Sequence, residues 1–165
     1  MNNNTRHISP RGLGLVKHFE GLYLKAYQDT GGVWTIGYGH TGMRHLDGSV
    51  KAGRVITEAE ADRLLEHDMI RAEVFVQRHV KVDLNQDRFD ALVSFSFNTG
   101  GLIDEEGEPT MILRTLNLGD FEGAARQFGR WVFDDGRKLK GLVRRRHAEM
   151  LLFQGDHAAL EDFLD

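Results

Sequence analysis

The sequence predicts an α+β fold, predominantly α. Three observations carry this reading. A short capped helix opens the chain, a turn-rich segment suited to a small antiparallel sheet follows, and everything from Thr57 onward has helical periodicity. The 165 residues suit one domain, read as a first helix with a small β lobe over about 9–56, a connecting helix over about 57–79 and a helical lobe over about 80–165.

Residues 1–8 read as a frayed tail. Ser9 then Pro10 is a helix start, with Ser as N-cap and Pro in the first turn. Leu15, Val16 and Phe19 mark the apolar face, and Gly21 is a stop signal. Residues 22–56 are rich in Gly, Tyr, Trp and Thr, with the turn Asp29-Thr30-Gly31-Gly32 and a strand expected over Val33–His40. Thr57 with Glu60 forms a capping box, and Ala61, Leu64, Leu65, Ala72, Phe75 and Val76 make a long stripe. Asn85 to Phe97 is apolar most of the way round, so it is expected at the buried centre of the helical lobe. Short helices are expected at 110–117, 121–131, 142–154 and 158–164, with Asp120 as an N-cap and Gly119 and Gly155 as stops.

Composition limits the function classes. The hydrophobic fraction of 41% is enough for a core, and the net charge of −4 gives no general attraction to polyanions. There is no cysteine, hence no disulfide or thiolate metal site. No run approaches the roughly 18 apolar residues that a membrane span needs. The basic run Arg137 to His147 lacks interleaved aromatics, so a nucleic-acid partner is not expected. The acidic loop Asp104–Glu108 lacks EF-hand spacing and reads as solvated surface.

Glu20 ends the first helix, Asp29 lies nine residues later in a turn, and Thr35 follows six residues on, in the strand. Strand alternation would place Thr35, Gly37 and Gly39 together on a shallow face, the kind of surface along which a sugar chain can lie. Glycoside cleavage needs an acid to protonate the leaving oxygen and a carboxylate to activate water or attack directly. Burial favours the protonated form of a carboxyl, which suits an acid backed by apolar residues, whereas a Gly-rich turn keeps its carboxylate solvated. Glu20 is therefore the candidate acid and Asp29 the candidate base. Read structurally instead, Glu20 is a helix-end surface residue and Asp29 a turn former.

The segments Phe19-Glu20-Gly21, Leu24 to Asp29 and Trp34-Thr35-Ile36-Gly37-Tyr38-Gly39-His40 resemble the phage lysozyme family, glycoside hydrolase family 24, to which the T-even phage lysozyme belongs. Ile56 to Ala61, Phe89 to Phe95, Phe97-Asn98-Thr99-Gly100 and Gly141 to Arg146 extend the likeness over about residues 9–155. The resemblance implies a lysozyme-like fold and hydrolysis of the β-1,4 bond between N-acetylmuramic acid and N-acetylglucosamine in peptidoglycan. It implies Glu20, Asp29 and Thr35 as catalytic residues, no cofactor and no metal. It also suggests that one of Arg144, Arg145 and Arg146 lies beside Glu20. Many phage members carry an N-terminal signal-arrest-release segment that is not seen here. The expectation is a monomer made in the host cytoplasm, without a signal peptide or stable membrane insertion, reaching the wall through a holin.

Two further residues have double readings. His40 ends the strand and could contact substrate, as could Gly37, Gly39 and Asn98. Yet Asp68 falls on the apolar stripe of the long helix, where an unpartnered carboxylate is costly. His40 is its first candidate partner. Asn98 could bind an acetamido group or cap its own helix. A lytic transglycosylase, or an inactive wall-binding domain, is the competing function. The presence of both Asp29 and Thr35 argues against the first, and of both carboxylates against the second.

Overall fold

The computed structural model describes residues 5–42 and 50–165. Helix α1 runs Pro10–Glu20; the Ser9 side chain accepts from the Gly12 backbone N–H, and Gly21 ends the helix at φ 71°. Leu15 and Val16 are buried on its inner face. Ahead of it, Arg6–Ile8 is pinned rather than frayed. Glu73 accepts from the Ile8 backbone N–H at 2.8 Å and lies 3.0 Å from His7 Nδ1, and Gln77 and Gln86 donate to the carbonyls of Arg6 and His7. Residues 1–4 of the expected tail lie outside the described residues.

Strands β1 (Tyr23–Gln28), β2 (Trp34–Gly37) and β3 (His40–Thr41) form an antiparallel sheet in that order. The expected continuous strand to His40 is not found. Gly37 and Gly39 take φ 65° and 78°, which glycine reaches without a Cβ penalty, and the chain reverses so that His40 pairs back with Ile36. Thr35, Gly37 and Gly39 therefore do not share one open face. Gly37 is buried where a Cβ would lie 3.4 Å from Ala61, while Gly39 turns toward Glu20. The part of the expected sheet at 43–49 lies outside the described residues.

Helix α2, Glu58–His79, opens with the Thr57–Glu60 capping box and buries Ala61, Leu65, Asp68, Met69, Ala72, Glu73 and Val76. Its 22 residues span about 33 Å, and it packs on β2 and β3 as well as on the next helix. That helix, α3 (Gln86–Thr99), is capped by the Asn85 side chain and ends at Gly100 in the left-handed conformation. Every residue from Phe89 to Ser96 is buried, as an all-round apolar helix requires. Helices α4 (Met111–Asn117), α5 (Phe121–Gln127), α6 (Lys140–Gln154) and α7 (His157–Leu164) complete the helical part, with a 3-10 turn at Phe128–Arg130 after α5. Helices α1, α2 and α6 pack around α3. A hairpin of β4 (Phe133–Asp134) and β5 (Arg137–Lys138) was not expected. Its turn residues Asp135 and Gly136 both have positive φ, the type I′ signature, but the strands are too short to show alternation.

Candidate active site

Glu20, the last residue of α1, points one carboxylate oxygen at α6. Arg145 Nη1 lies 2.6 Å from Glu20 Oε1, which resolves the choice among the three successive arginines. Arg145 is itself held: its Nε is 3.2 Å from Glu149 Oε1. Arg146 Nε lies 2.7 Å from Glu149 Oε2, and the Ser94 hydroxyl donates to Glu149 Oε1 at 2.7 Å. Two guanidinium groups and two carboxylates thus form one network, with Glu149 fully buried and Arg145 and Arg146 nearly so. Charges so placed persist only if mutually compensated. Burial pushes the Arg146 guanidinium below its usual value, opposed by the Glu149 charge.

The second Glu20 oxygen faces the sheet. A Cβ on Gly39 would come within 3.1 Å of Glu20 Oε2, so the absence of a side chain at Gly39 keeps space beside that oxygen. The Glu20 side chain retains 21% of its exposure. The apolar backing expected from Leu15, Val16 and Phe19 is thus only part of its surroundings.

Asp29 builds a self-contained turn. Its Oδ1 accepts from the backbone N–H groups of Gly31 and Val33, each at 2.9 Å, and its own N–H donates to the Val33 carbonyl. Among the described residues Oδ2 accepts no bond. The Thr35 hydroxyl donates to the same Val33 carbonyl at 3.1 Å, and Thr35 is almost wholly buried. Val33 therefore joins Asp29 to Thr35 through its backbone. Tyr27 pairs with Thr35 across the sheet. Its phenol is raised above the usual value by burial first, then by Tyr23 and by the negative charges of Asp29 and Glu20, so this ring senses both carboxylates. Sequence reasoning passed over Tyr27, Ser94 and Glu149.

His40 Nδ1 lies 2.9 Å from Asp68 Oδ2 and 3.1 Å from Oδ1, both side chains being buried. This is the pair expected from the position of Asp68 on the stripe. Asn98 does not cap its own helix: its Oδ1 accepts from Arg146 Nη2 at 2.8 Å, and the residue is exposed at the end of α3.

The fold thus carries a helix-end glutamate held by a buried arginine, and an aspartate turn joined through Val33 to a threonine strand, the group types that glycoside cleavage needs. The phage lysozyme family model matches residues 17–149. The endolysin of Acyrthosiphon pisum secondary endosymbiont phage 1 is 39% identical over 152 residues, covering 90% of this chain and 98% of that one. The muramidase domain of SpmX from Asticaccaulis excentricus superimposes with a TM-score of 0.76 at 39% identity, covering 90% and 98% of the two chains. A point mutant of the lysozyme of phage P22 superimposes with a TM-score of 0.79 at 38% identity, covering 91% and 99%. The chain belongs to the phage lysozyme family. More particularly, it is a peptidoglycan-hydrolysing enzyme of the endolysin type.

Proposed function

We propose that Glu20 is the general acid, and that Asp29 and Thr35 hold and deprotonate the water that cuts the β-1,4 bond between N-acetylmuramic acid and N-acetylglucosamine. The glycan would lie between the β lobe and the helical lobe joined by α2. The observation that carries this is the division of labour within each carboxylate. Arg145 engages Glu20 Oε1, leaving Oε2 beside Gly39 to carry the proton. Two backbone N–H groups engage Asp29 Oδ1, leaving Oδ2 to accept a proton from water. The Thr35 hydroxyl spends its hydrogen on the Val33 carbonyl, so its oxygen acts as an acceptor toward that water.

In the step that follows, the Glu20 proton passes to the glycosidic oxygen as its bond to the anomeric carbon breaks. The water oxygen bonds to that carbon from the opposite face, and its proton goes to Asp29. The product is inverted. Glu20→Gln keeps the Arg145 contact but has no acidic proton to give, and lysis of chloroform-treated Gram-negative cells should fall by roughly 10²–10⁴-fold or more. Near wild-type lysis by folded Glu20→Gln overturns the assignment. NMR of the first-formed sugar tests inversion, and muropeptide mass distinguishes hydrolysis, which adds water, from an anhydro product.

Access to the wall through a holin, by a monomer made in the cytoplasm, belongs to the same proposal. Among the described residues no helix is long and apolar enough to cross a membrane. Expression of the chain alone should lyse cells only when chloroform or a holin opens the membrane. Lysis without either would remove the holin from the scheme.

A further inference from the structure

Strand β1 is longer than the stretch of β2 it faces. Tyr23 pairs with Gly37 and Tyr27 with Thr35, so four steps along β1 span two along β2. The surplus is held rather than slack. The Ala26 N–H donates to the Arg54 carbonyl, the Ile56 N–H donates to the Leu24 carbonyl, and Lys25 bridges to Val55. In a regular strand, residues four apart are separated by about 13 Å. Here the ring centroids of Tyr23 and Tyr27 are 4.5 Å apart. Bulges re-aim side chains in this way, and they concentrate beside functional sites. Joining two tyrosines would suit a core, yet Tyr23 keeps 50% of its surface exposed and Tyr27 is only partly buried. The bulge therefore builds a two-ring aromatic surface that faces solvent.

That surface flanks the proposed site at both ends. Tyr27 stands opposite Thr35, and partners across an antiparallel pair project to the same face. The charges of Asp29 and Glu20 both reach the Tyr27 phenol. Gly21 follows Glu20 in the chain, and a Cβ on Gly21 would lie 3.6 Å from Tyr23 Cε2. The two rings thus extend from beside Glu20 to beside Thr35. Tyrosine offers rigid, amphipathic contact area with few torsions to freeze, which suits the C–H face of a pyranose ring. With two carboxylates close by, a neutral occupant is favoured over an anionic one. We propose that Tyr23 and Tyr27 form a stacking platform for a neutral N-acetylglucosamine ring of the glycan strand, with Tyr23 as a substrate-binding residue. This rests on the muramidase reading given above.

The test compares wild type, Tyr23→Ala and Tyr23→Phe in lysis kinetics on purified sacculi. Tyr23→Ala should raise the apparent KM by about three- to tenfold at unchanged kcat, the size of one aromatic contact. Tyr23→Phe keeps the ring and should stay near wild type. An unchanged KM in Tyr23→Ala overturns the platform. So does a fall in kcat at unchanged KM, because the ring would then brace Gly21 and Glu20 instead of holding substrate. A second measurement needs neither turnover nor a variant. Titration of the wild-type protein with the soluble N-acetylglucosamine tetramer should shift the Tyr23 and Tyr27 ring resonances saturably in NMR spectra. Tyr23→Ala should bind the tetramer about three- to tenfold more weakly, and Tyr23→Phe as the wild type does. Absence of a saturable shift in a protein that lyses normally overturns the platform, whereas a saturable shift in a protein that cuts no wall would retain it and overturn the muramidase reading instead.

Discussion

The two carboxylates of the proposed site are held in opposite ways. Asp29 is fixed by its own neighbours: the donors to its Oδ1 lie two and four residues away, and the turn stands exposed to solvent. Glu20 is fixed from far along the chain, by an arginine 125 residues away that is itself clamped by Glu149 and Ser94 in the interior. One half of the proposed chemistry therefore depends on local backbone geometry, and the other on a buried ion network whose members come from three helices. Damage to the second half should cost stability and activity together. Damage to the first should cost activity alone.

The largest effect is expected at Glu149. Glu149→Gln leaves Arg145 and Arg146 buried beside one carboxylate instead of two. Removing one partner of a buried ion network costs about 3–5 kcal/mol. For a chain of this size that lowers Tm by roughly 6–20 °C, readable by calorimetry. Lysis should fall as well, because Arg145 loses its anchor. A Tm within a degree or two of wild type would mean that the network is not the structural support of Glu20.

Asp29→Asn should separate the two properties. The amide oxygen still accepts from Gly31 and Val33, so the turn survives, but Asn cannot take a proton from water. Activity should drop by roughly 10²-fold or more, which is about 2.7 kcal/mol of barrier. Thermal stability should change by no more than about 0.5 kcal/mol, as for an exposed substitution. Parallel loss of both would erase the contrast between the halves.

A pair of glycines sharpens it further. Gly32 and Gly39 both have φ 78°. Alanine at either costs about 1–2 kcal/mol of backbone strain. At Gly32 a Cβ meets nothing within 4 Å, whereas at Gly39 it would press on Glu20 Oε2 at 3.1 Å. Gly32→Ala and Gly39→Ala should therefore lose similar stability, and only Gly39→Ala should lose additional kcat. Equal kcat in the two variants would show that the space beside Oε2 is not used.

The same contrast explains what the sequence made legible. The Ser9-Pro10 start, the Thr57–Glu60 box and the Asp120 cap were readable because each is settled within a few residues. Asp68 was readable because a carboxylate on an apolar stripe demands a partner, and His40 was near enough in type and position to supply it. The break after Gly37 was not, since glycine occupies a strand or a reversal equally well and packing against Ala61 decides. Nor could α6 be phased from its own residues. Ala148, Leu151, Leu152 and Phe153 are all buried and spread over a wide arc, so Arg144, Arg145 and Arg146 compete for the inner side. In the structure Arg145 and Arg146 turn inward, while Arg144 lies over the Phe163 ring. Glu149 went unnoticed because a single carboxylate in a basic helix reads as surface until its neighbours are known to be buried.

The buried carboxylate of Asp90 provides the smallest and most specific test. Asp90 on α3 is fully buried like Glu149, but its partners are neutral: the Ser9 hydroxyl and backbone N–H, and the Gln86 amide. Burial raises the Asp90 carboxyl above its usual value, against the lowering effect of the bonds from Ser9 and Gln86. The sign then follows. Between the unfolded value, about 3.9, and the raised folded value, the native state holds a proton that the unfolded state has released. Stability from this group is thus full below about pH 3.9 and is lost as pH rises through the folded value. The slope cannot exceed about 1.4 kcal/mol per pH unit for one proton. Asp90→Asn carries no titrating group, so any fixed cost of altered bonding to Ser9 is the same at every pH. The Tm of Asp90→Asn minus that of wild type should rise as pH goes from 4 to 7. A flat or falling difference would mean that the neutral donors around Asp90 compensate its charge as fully as the arginines compensate Glu149, and that burial without a counter-ion costs this fold nothing.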